Sequence, residues 1–251
     1  MNVTLSDKVA VVTGGGGGIG SEICRSLAKA GASVIITHKD DSDLEVSQSA
    51  LASLDGEGHM VVQTSVDNYE DQQALAKTIS DKYGRLDILI NCAGLTRFVA
   101  PDDLEGLDDD LIDLIFKVNW RGSFASVRAL EGLLKKSDDG LVINLSSIAG
   151  QTAIGSNVAY CASKAAINSM TMSLARSLSP EIRVMAIAPG LVEGEYTKKL
   201  DPDWTREQEQ LTPLKRLTQA GDVADAVIAC ATLLKDSTGC VIPVDGGRPL
   251  T

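Results

Sequence analysis

Seven short runs rich in β-branched and other apolar residues recur along the chain: KVAVV, SVIIT, HMVVQ, LDILIN, LVINLS, IRVMAIA and CVIPV. Within each run the apolar character is nearly continuous rather than alternating, which is the pattern of a strand covered on both faces. Between the runs lie stretches with apolar residues at helical spacing, among them IGSEICRSLAKAG, YEDQQALAKTISDKYG and DVADAVIACATLL. The first two run into Gly31 and Gly84 just ahead of the next strand, as helix C-caps do. Seven strands alternating with about six helices predict an α/β fold: a single doubly wound domain over residues 1–251, its parallel sheet flanked by helices on both faces, with right-handed crossovers. Residues 191–218 break the rhythm. They are polar, contain Pro202 and Pro213, and are expected to form a substrate-covering loop.

Charge narrows the function classes. The formal net charge is −11, and the acids are dispersed through KDDSDLE, PDDLEGLDDD and DPDWTREQEQ. Nucleic-acid binding needs clustered Lys and Arg, so no nucleic-acid partner is expected; the acids read as a solvated surface. Cys24, Cys92, Cys161, Cys230 and Cys240 include no CxxC pair, and His38 and His59 cannot complete a zinc set with them. Free thiols in a reducing compartment and no metal are the expectation. No basic, then apolar, then small-residue leader precedes Lys8, and no apolar run approaches the roughly 18 residues of a membrane span. A soluble, cytoplasmic protein without a membrane partner is expected.

The stretch VAVVTGGGGGIGSEIC, Val9 to Cys24, sets five consecutive glycines between the first strand and the first helix. Such a run is entropically costly unless the chain must turn sharply or approach something closely. In a doubly wound sheet this turn lies at the carboxyl edge, where the helix N-terminus offers unpaired N–H groups and partial positive charge to a phosphate. The spacing Gly14, Gly18, Gly20 after Thr13 differs from GxGxxG and resembles the TGxxxGxG loop of the short-chain dehydrogenase/reductase family, which binds nicotinamide dinucleotides. The resemblance extends over nearly the whole chain. NCAG (Asn91 to Gly94) is similar to the family's NNAG with Cys92 in place of Asn; KVNW supplies Asn119, INLSSIAG Ser147, YCASK Tyr160 and Lys164, and APG and VDGG close the last two strands. Its short overall length resembles the 3-oxoacyl-carrier-protein reductases and their many relatives acting on ketones, secondary alcohols and sugars.

The resemblance implies a Rossmann fold. Gly14 would make the turn, Gly18 admit the pyrophosphate and Gly20 pack helix against strand, with Gly15 to Gly17 a permissive filling. Ile19, Val66, Asn91, Ala93, Gly94, Pro189, Gly190 and Val192, with Tyr160 and Lys164, would complete the cofactor cradle. Tyr160 and Lys164, at i and i+4, project from one helical face. A tyrosine of ordinary pKa about 10 needs roughly three units of depression to exchange a proton near neutrality, and a charged Lys164 with the oxidised nicotinamide would contribute it. Tyr160 is then the acid in ketone reduction and the base in alcohol oxidation, Ser147 bonds the reacting carbonyl, and Lys164 also holds the nicotinamide ribose. Asn119, in a helical segment from Asp108 to Lys135, would hold a water leading to Lys164; its alternative is a helix-distorting residue with a local backbone bond. Cys161 lacks a histidine partner and reads as packing.

The second strand runs into His38 and Lys39 with no acid at its end, which favours NADP(H) over NAD(H); Asp40, Asp41 and the missing basic residue in the glycine loop point the other way. The family often has Asp where this chain has Ser65, and commonly Thr where it has Gly194; Thr197 would serve instead only if the loop is repacked. Gln151, Ile154, Leu191, Tyr196 and Trp204, with Ser147 and Tyr160, would line a mainly apolar substrate pocket with one amide and no anion clamp. The expected reaction is hydride transfer between NADP(H) and a ketone or secondary alcohol as small-molecule partner. The alternatives are an NAD-dependent dehydrogenase of a polyol or hydroxy compound, and a non-catalytic nucleotide-sensing scaffold. A homotetramer, or a dimer, would form through helices at about 104–136 and 157–179 and the C-terminal strand.

Overall fold

The computed structural model describes residues 4–195 and 197–251. Among these residues the seven runs form seven strands: β1 (Val9–Thr13), β2 (Ser33–His38), β3 (Met60–Gln63), β4 (Ile88–Asn91), β5 (Gly140–Leu145), β6 (Ile182–Pro189) and β7 (Val241–Val244). They join in one all-parallel sheet of order β3-β2-β1-β4-β5-β6-β7. The order reverses beside β1, between β2 and β4, so the switch point falls under the glycine run.

Nine α-helices surround the sheet among the described residues: α1 (Gly18–Lys29), α2 (Leu44–Ala52), α3 (Tyr69–Tyr83), α4 (Asp109–Phe116), α5 (Ser123–Leu134), α6 (Ala149–Thr152), α7 (Val158–Leu178), α8 (Pro202–Leu211) and α9 (Ala220–Thr232). The continuous apolar runs are explained by two cores, one on each face. Ile36, Ile90, Ile143 and Ile187 pack against Ile23 and Leu27 of α1 and Val223 and Val227 of α9. On the same strands Ile35, Leu89, Val142 and Val184 point the other way, onto Leu75 and Ile79 of α3 and Leu130 and Leu134 of α5. Each fully buried aliphatic side chain contributes about 1.5–3 kcal/mol. Gly84 (φ +75°) caps α3, and Gly31 (φ +100°) turns the chain two residues after α1 ends.

Two segments depart from the sequence pattern. The helical segment from Asp108 to Lys135 is not uniform, because a π-helical stretch, Lys117–Gly122, separates α4 from α5. That stretch seats Gly122 against Val66, whose Cγ2 would stand 2.8 Å from a Cβ added there. The segment 191–218 is also more ordered than a loop. Backbone bonds Glu193 N to Thr218 O and Thr218 N to Leu191 O close its base, and α8 occupies its middle. Asp201 caps α8, accepting from Asp203 N at 2.7 Å, with Pro202 in the first turn; this is a helix start signal the polar composition obscured. No described helix is long and apolar enough to cross a membrane.

Candidate active site

A cleft of about 1670 Å³ runs along the carboxyl edge of the sheet, between the glycine run and the segment that carries α8. At its floor β1 ends in Thr13, whose Oγ1 accepts from Cys92 N and Ala93 N, both at 3.0 Å, so the turn after β4 is drawn against the glycine run. Gly14 (φ +64°) turns the chain there, and a Cβ on it would lie 3.0 Å from Ala93 Cα. Gly20 lies against the loop itself rather than the strand, since its Cβ would stand 2.4 Å from Gly14 O. Gly15 and Gly16 are not permissive filling. A side chain at 15 would press on Cys24 Sγ and Ile36, and one at 16 would meet Ser47 Oγ at 2.6 Å, because α2 packs onto the loop. Gly18, the first residue of α1, borders the cleft with no atom within 4 Å of where a Cβ would stand.

This geometry fits a dinucleotide. The open position at Gly18 lies where α1 presents its unpaired N–H groups. Along the same wall the hydroxyls of Thr37, Ser47 and Thr64 are buried without hydrogen-bond partners. Ile19, Val66, Ala93, Gly94, Pro189, Gly190 and Val192 also line the cleft. So do His38 and Lys39; His38 Nδ1 donates to Asp40 O at 2.9 Å. The Asp40 carboxylate is turned to Ser42, and the bonds from Ser42 hold it below the usual carboxylate range. Asp40 and Asp41 do not line the cleft, whereas Asp43 does. Ser65 borders it, with its hydroxyl on Asp67.

Elsewhere the cleft is lined by Ser147, Tyr160 and Lys164. Asn157 caps α7, accepting from Tyr160 N at 2.7 Å, and its amide donates to Arg97 O at 2.7 Å. This fixes the first turn of the helix, and with it Tyr160, against the 96–97 loop. One turn on, the Lys164 ammonium donates to Leu145 O, the last residue of β5, at 2.7 Å and lies 5.6 Å from the Tyr160 ring centroid. Burial pushes the Lys164 pKa down to about 8, against a smaller upward pull from Cys92. Ser147, just beyond β5, borders the cleft with Tyr160, and its Oγ accepts from Ala149 N at 3.1 Å. The short helix α6 can sit this close to α7 because Gly150 has no side chain; a Cβ there would be 2.7 Å from the Lys164 carbonyl carbon.

Two predicted site residues do not reach the cleft. Asn91 is buried, its Nδ2 donating to Asn144 Oδ1 at 2.8 Å and to Ser123 O at 3.3 Å, so its side chain ties β4 to β5 and α5. Asn119 lies in the π-helical stretch, and both ends of its amide are engaged. Its Oδ1 accepts from Leu95 N at 2.9 Å, and its Nδ2 donates to Leu95 O and Ser163 Oγ. The side chain clamps the loop after Gly94. Thr197 is occupied too, exchanging two 2.9 Å bonds with Gly194, and does not line the cleft. Cys161 is buried beside Gly155, and Cys92 borders the cleft with its thiol pushed up to about 11 by burial.

Of the residues expected to face substrate, Gln151, Ile154, Leu191 and Trp204 line the cleft, Ile154 being 74% exposed; Tyr196 lies outside the described residues. Arg216 and Arg248 join this wall although neither figured in the sequence reading. Asn157 was also missed, yet it had a signal: an Asn three residues before Tyr160 is the spacing of an N-cap. Arg248 had none, because nothing local shows where the turn after β7 folds.

The sequence profile of the short chain dehydrogenase family matches residues 8–205. An acetoacetyl-CoA reductase of Allochromatium vinosum is 31% identical, covering 96% of this chain and 98% of its own. A 3-oxoacyl-[acyl-carrier-protein] reductase of Aquifex aeolicus is 32% identical, covering 98% and 99%. A solved structure from Burkholderia xenovorans, assigned to the short-chain dehydrogenases/reductases, superposes with a TM-score of 0.92 at 32% identity, covering 99% of this chain and all of that one.

Proposed function

The chain belongs to the short-chain dehydrogenase/reductase family of NAD(P)-dependent oxidoreductases acting on C=O or CH–OH groups, and within it we propose an NADP(H)-linked carbonyl reductase with Tyr160 as proton donor. The observation that carries this reading is the buried Lys164 ammonium, anchored on Leu145 O beneath Tyr160 at the wall of a cleft whose other end is the glycine run.

Gly14, Gly18, Ile19 and Gly20 would hold the pyrophosphate, and Ala93, Gly94, Pro189, Gly190 and Val192 the nicotinamide half. When bound, the nicotinamide supplies the hydride in reduction and accepts it in oxidation. The chain's own residues do the rest. Ser147 Oγ orients the carbonyl oxygen toward Tyr160, the Tyr160 hydroxyl gives that oxygen its proton, and Lys164 favours the resulting phenolate by its charge. In alcohol oxidation the same hydroxyl site takes the proton back. His38 and Lys39 offer donors for a ribose 2′-phosphate while Asp40 is turned away to Ser42, which supports NADP(H). Asp43, which also lines the cleft, and the absence of a basic residue from the glycine loop favour NAD(H).

The relatives named as reductases of acetoacetyl-CoA and of 3-oxoacyl carrier protein support a ketone as substrate. Titration of the protein with NADPH and NADH tests the cofactor reading. A preference of about tenfold or more for NADPH, about 1.4 kcal/mol, is expected, and a preference for NADH would hand the site to Asp43. Assembly as a homotetramer, with a dimer as the lesser form, fits the exposed Leu114 of α4 and Val158 and Met172 of α7. Sedimentation velocity at micromolar concentration is expected to show no monomer boundary.

A further inference from the structure

The outer wall of the cleft is made by two segments distant in sequence. Gly247 (φ +83°) turns the chain after β7 into the short helical turn Arg248–Leu250, which folds onto α8. Thr251 Oγ1 donates to Leu211 O at 2.9 Å, and the Arg248 guanidinium donates to Gln208 Oε1 and Thr251 Oγ1, both at 3.0 Å. Trp204 and Gln208, at i and i+4 on α8, face the cleft together with Arg248.

Four cationic side chains line the cleft among the described residues: Lys39, Lys164, Arg216 and Arg248. Lys39 stands beside His38 and Lys164 beneath Tyr160. Arg216 is matched by Asp222, which receives Nη1 at 2.5 Å and Nη2 at 2.9 Å. Arg248 stands apart by its place, on the wall made by α8 and the turn after β7: its bonds go to a neutral amide and a neutral hydroxyl and, as with Lys39 and Lys164 but unlike Arg216, no carboxylate of a described residue is in ion-pair distance. The acids on this side of the cleft are engaged elsewhere. Glu193 accepts from Gln219, Glu195 pairs with Lys198, Asp201 caps α8 and Asp245 accepts from Gly247 N. A guanidinium offers five N–H donors in a planar fork that matches carboxylate and phosphate oxygens.

We propose that Arg248 is the oxyanion-recognition group of the substrate cleft, so that the carbonyl compound turned over here carries a carboxylate or phosphate remote from its carbonyl, with Trp204 against the apolar stretch between. This rests on the reductase reading for its chemistry but not for its binding test. The anion sets affinity and placement; the proton and hydride transfers do not involve it.

The test uses Trp204 as reporter in a Trp120→Phe background, since the chain has two tryptophans. Fluorescence titrations are run with butyrate, butyl phosphate and butanol. At least one anion is expected to bind about tenfold or more tightly than butanol, Arg248→Met to erase that difference, and Arg248→Lys to retain part of it. The tighter anion identifies carboxylate or phosphate as the natural group. Absence of saturable quenching by either anion, equal affinity for all three probes, or a preference that survives Arg248→Met would overturn the proposal. In parallel, reduction of 4-oxopentanoate is expected to lose about tenfold in kcat/KM through KM in Arg248→Met, while its methyl ester and NADPH affinity are unchanged. No turnover of either ketone would refute the reductase reading, and the fluorescence arm would still decide the role of Arg248.

Discussion

Asp87, at the amino edge of the sheet, and Lys164, at the carboxyl edge, are both buried charges, 1% and 7% exposed. Asp87 is enclosed by donors: Ser137 Oγ at 2.6 Å, Lys8 Nζ and Val9 N at 2.9 Å, and Arg85 Nε at 3.2 Å. Burial pushes its carboxyl up, but the bonds from Ser137, Val9 and Lys8 outweigh that and hold it below the usual range. Lys164 has a neutral carbonyl at 2.7 Å and no described carboxylate paired with it, so burial prevails and its pKa falls to about 8. A buried charge whose partners are complete holds the fold together. One left without a counter-ion beside a cleft is held ready to act on a neighbouring group or a ligand.

The largest expected effect comes at the carboxyl edge, on removing the Tyr160 hydroxyl. Tyr160→Phe is expected to lower turnover by about 10³-fold or more while NADPH binds within a factor of about three, as read by steady-state kinetics and titration. Retained turnover would remove Tyr160 from the chemistry.

At the other edge, Asp87→Ala strands Lys8, Arg85 and the Val9 N–H around a hole. It is expected to cost about 1–3 kcal/mol in denaturant unfolding, since the part-exposed Lys8 and Arg85 can turn to water while the Val9 N–H cannot, with kcat of the folded enzyme unchanged. The sign with pH follows from the lowered carboxyl. Its stabilisation is present above the unfolded carboxylate pKa near 4 and is lost as pH falls through the lower folded value.

Lys164→Met sharpens the contrast by a smaller effect of opposite sense. Turnover should be lost, yet stability at pH 7 should hold or rise by about 1 kcal/mol, since an uncompensated buried cation is removed. The folded pKa of about 8 lies below the unfolded value of about 10.4, so the destabilisation is complete below pH 8 and is relieved as pH rises toward 10.4. Wild type and variant should therefore converge in stability over that range. In the wild type, kcat/KM for reduction should decline above about pH 8 as Lys164 loses the charge that favours the phenolate. A loss of stability as large as that of Asp87→Ala would refute the asymmetry.

Much of this was legible in one dimension. The seven strands could be read because both faces of the sheet are covered, so each strand must be apolar throughout. The glycine run and YCASK are contiguous, and their local spacing already fixes which side chains share a turn. Legibility failed where a side chain had a choice of partners. Asn91 was expected in the cofactor cradle and Asn119 beside a water leading to Lys164, and local spacing gave no sign that Asn144 and Ser123 accept from the Asn91 Nδ2 or that Leu95 and Ser163 meet the Asn119 amide. Gly15 and Gly16 looked like filler until α2 and Cys24 were seen pressed against them.

By itself, then, the sequence determined the strand and helix order, the phosphate-ready turn, and the i, i+4 pairing of Tyr160 with Lys164, because period and spacing are properties of the chain alone. The tertiary structure decided that Leu145 O anchors Lys164, that Asp40 turns to Ser42, and that Arg248, 44 positions beyond Trp204, shares a wall with it. Each of these depends on which distant groups burial brings within a few ångströms of one another, and that is settled by packing across the sheet and not by any local pattern.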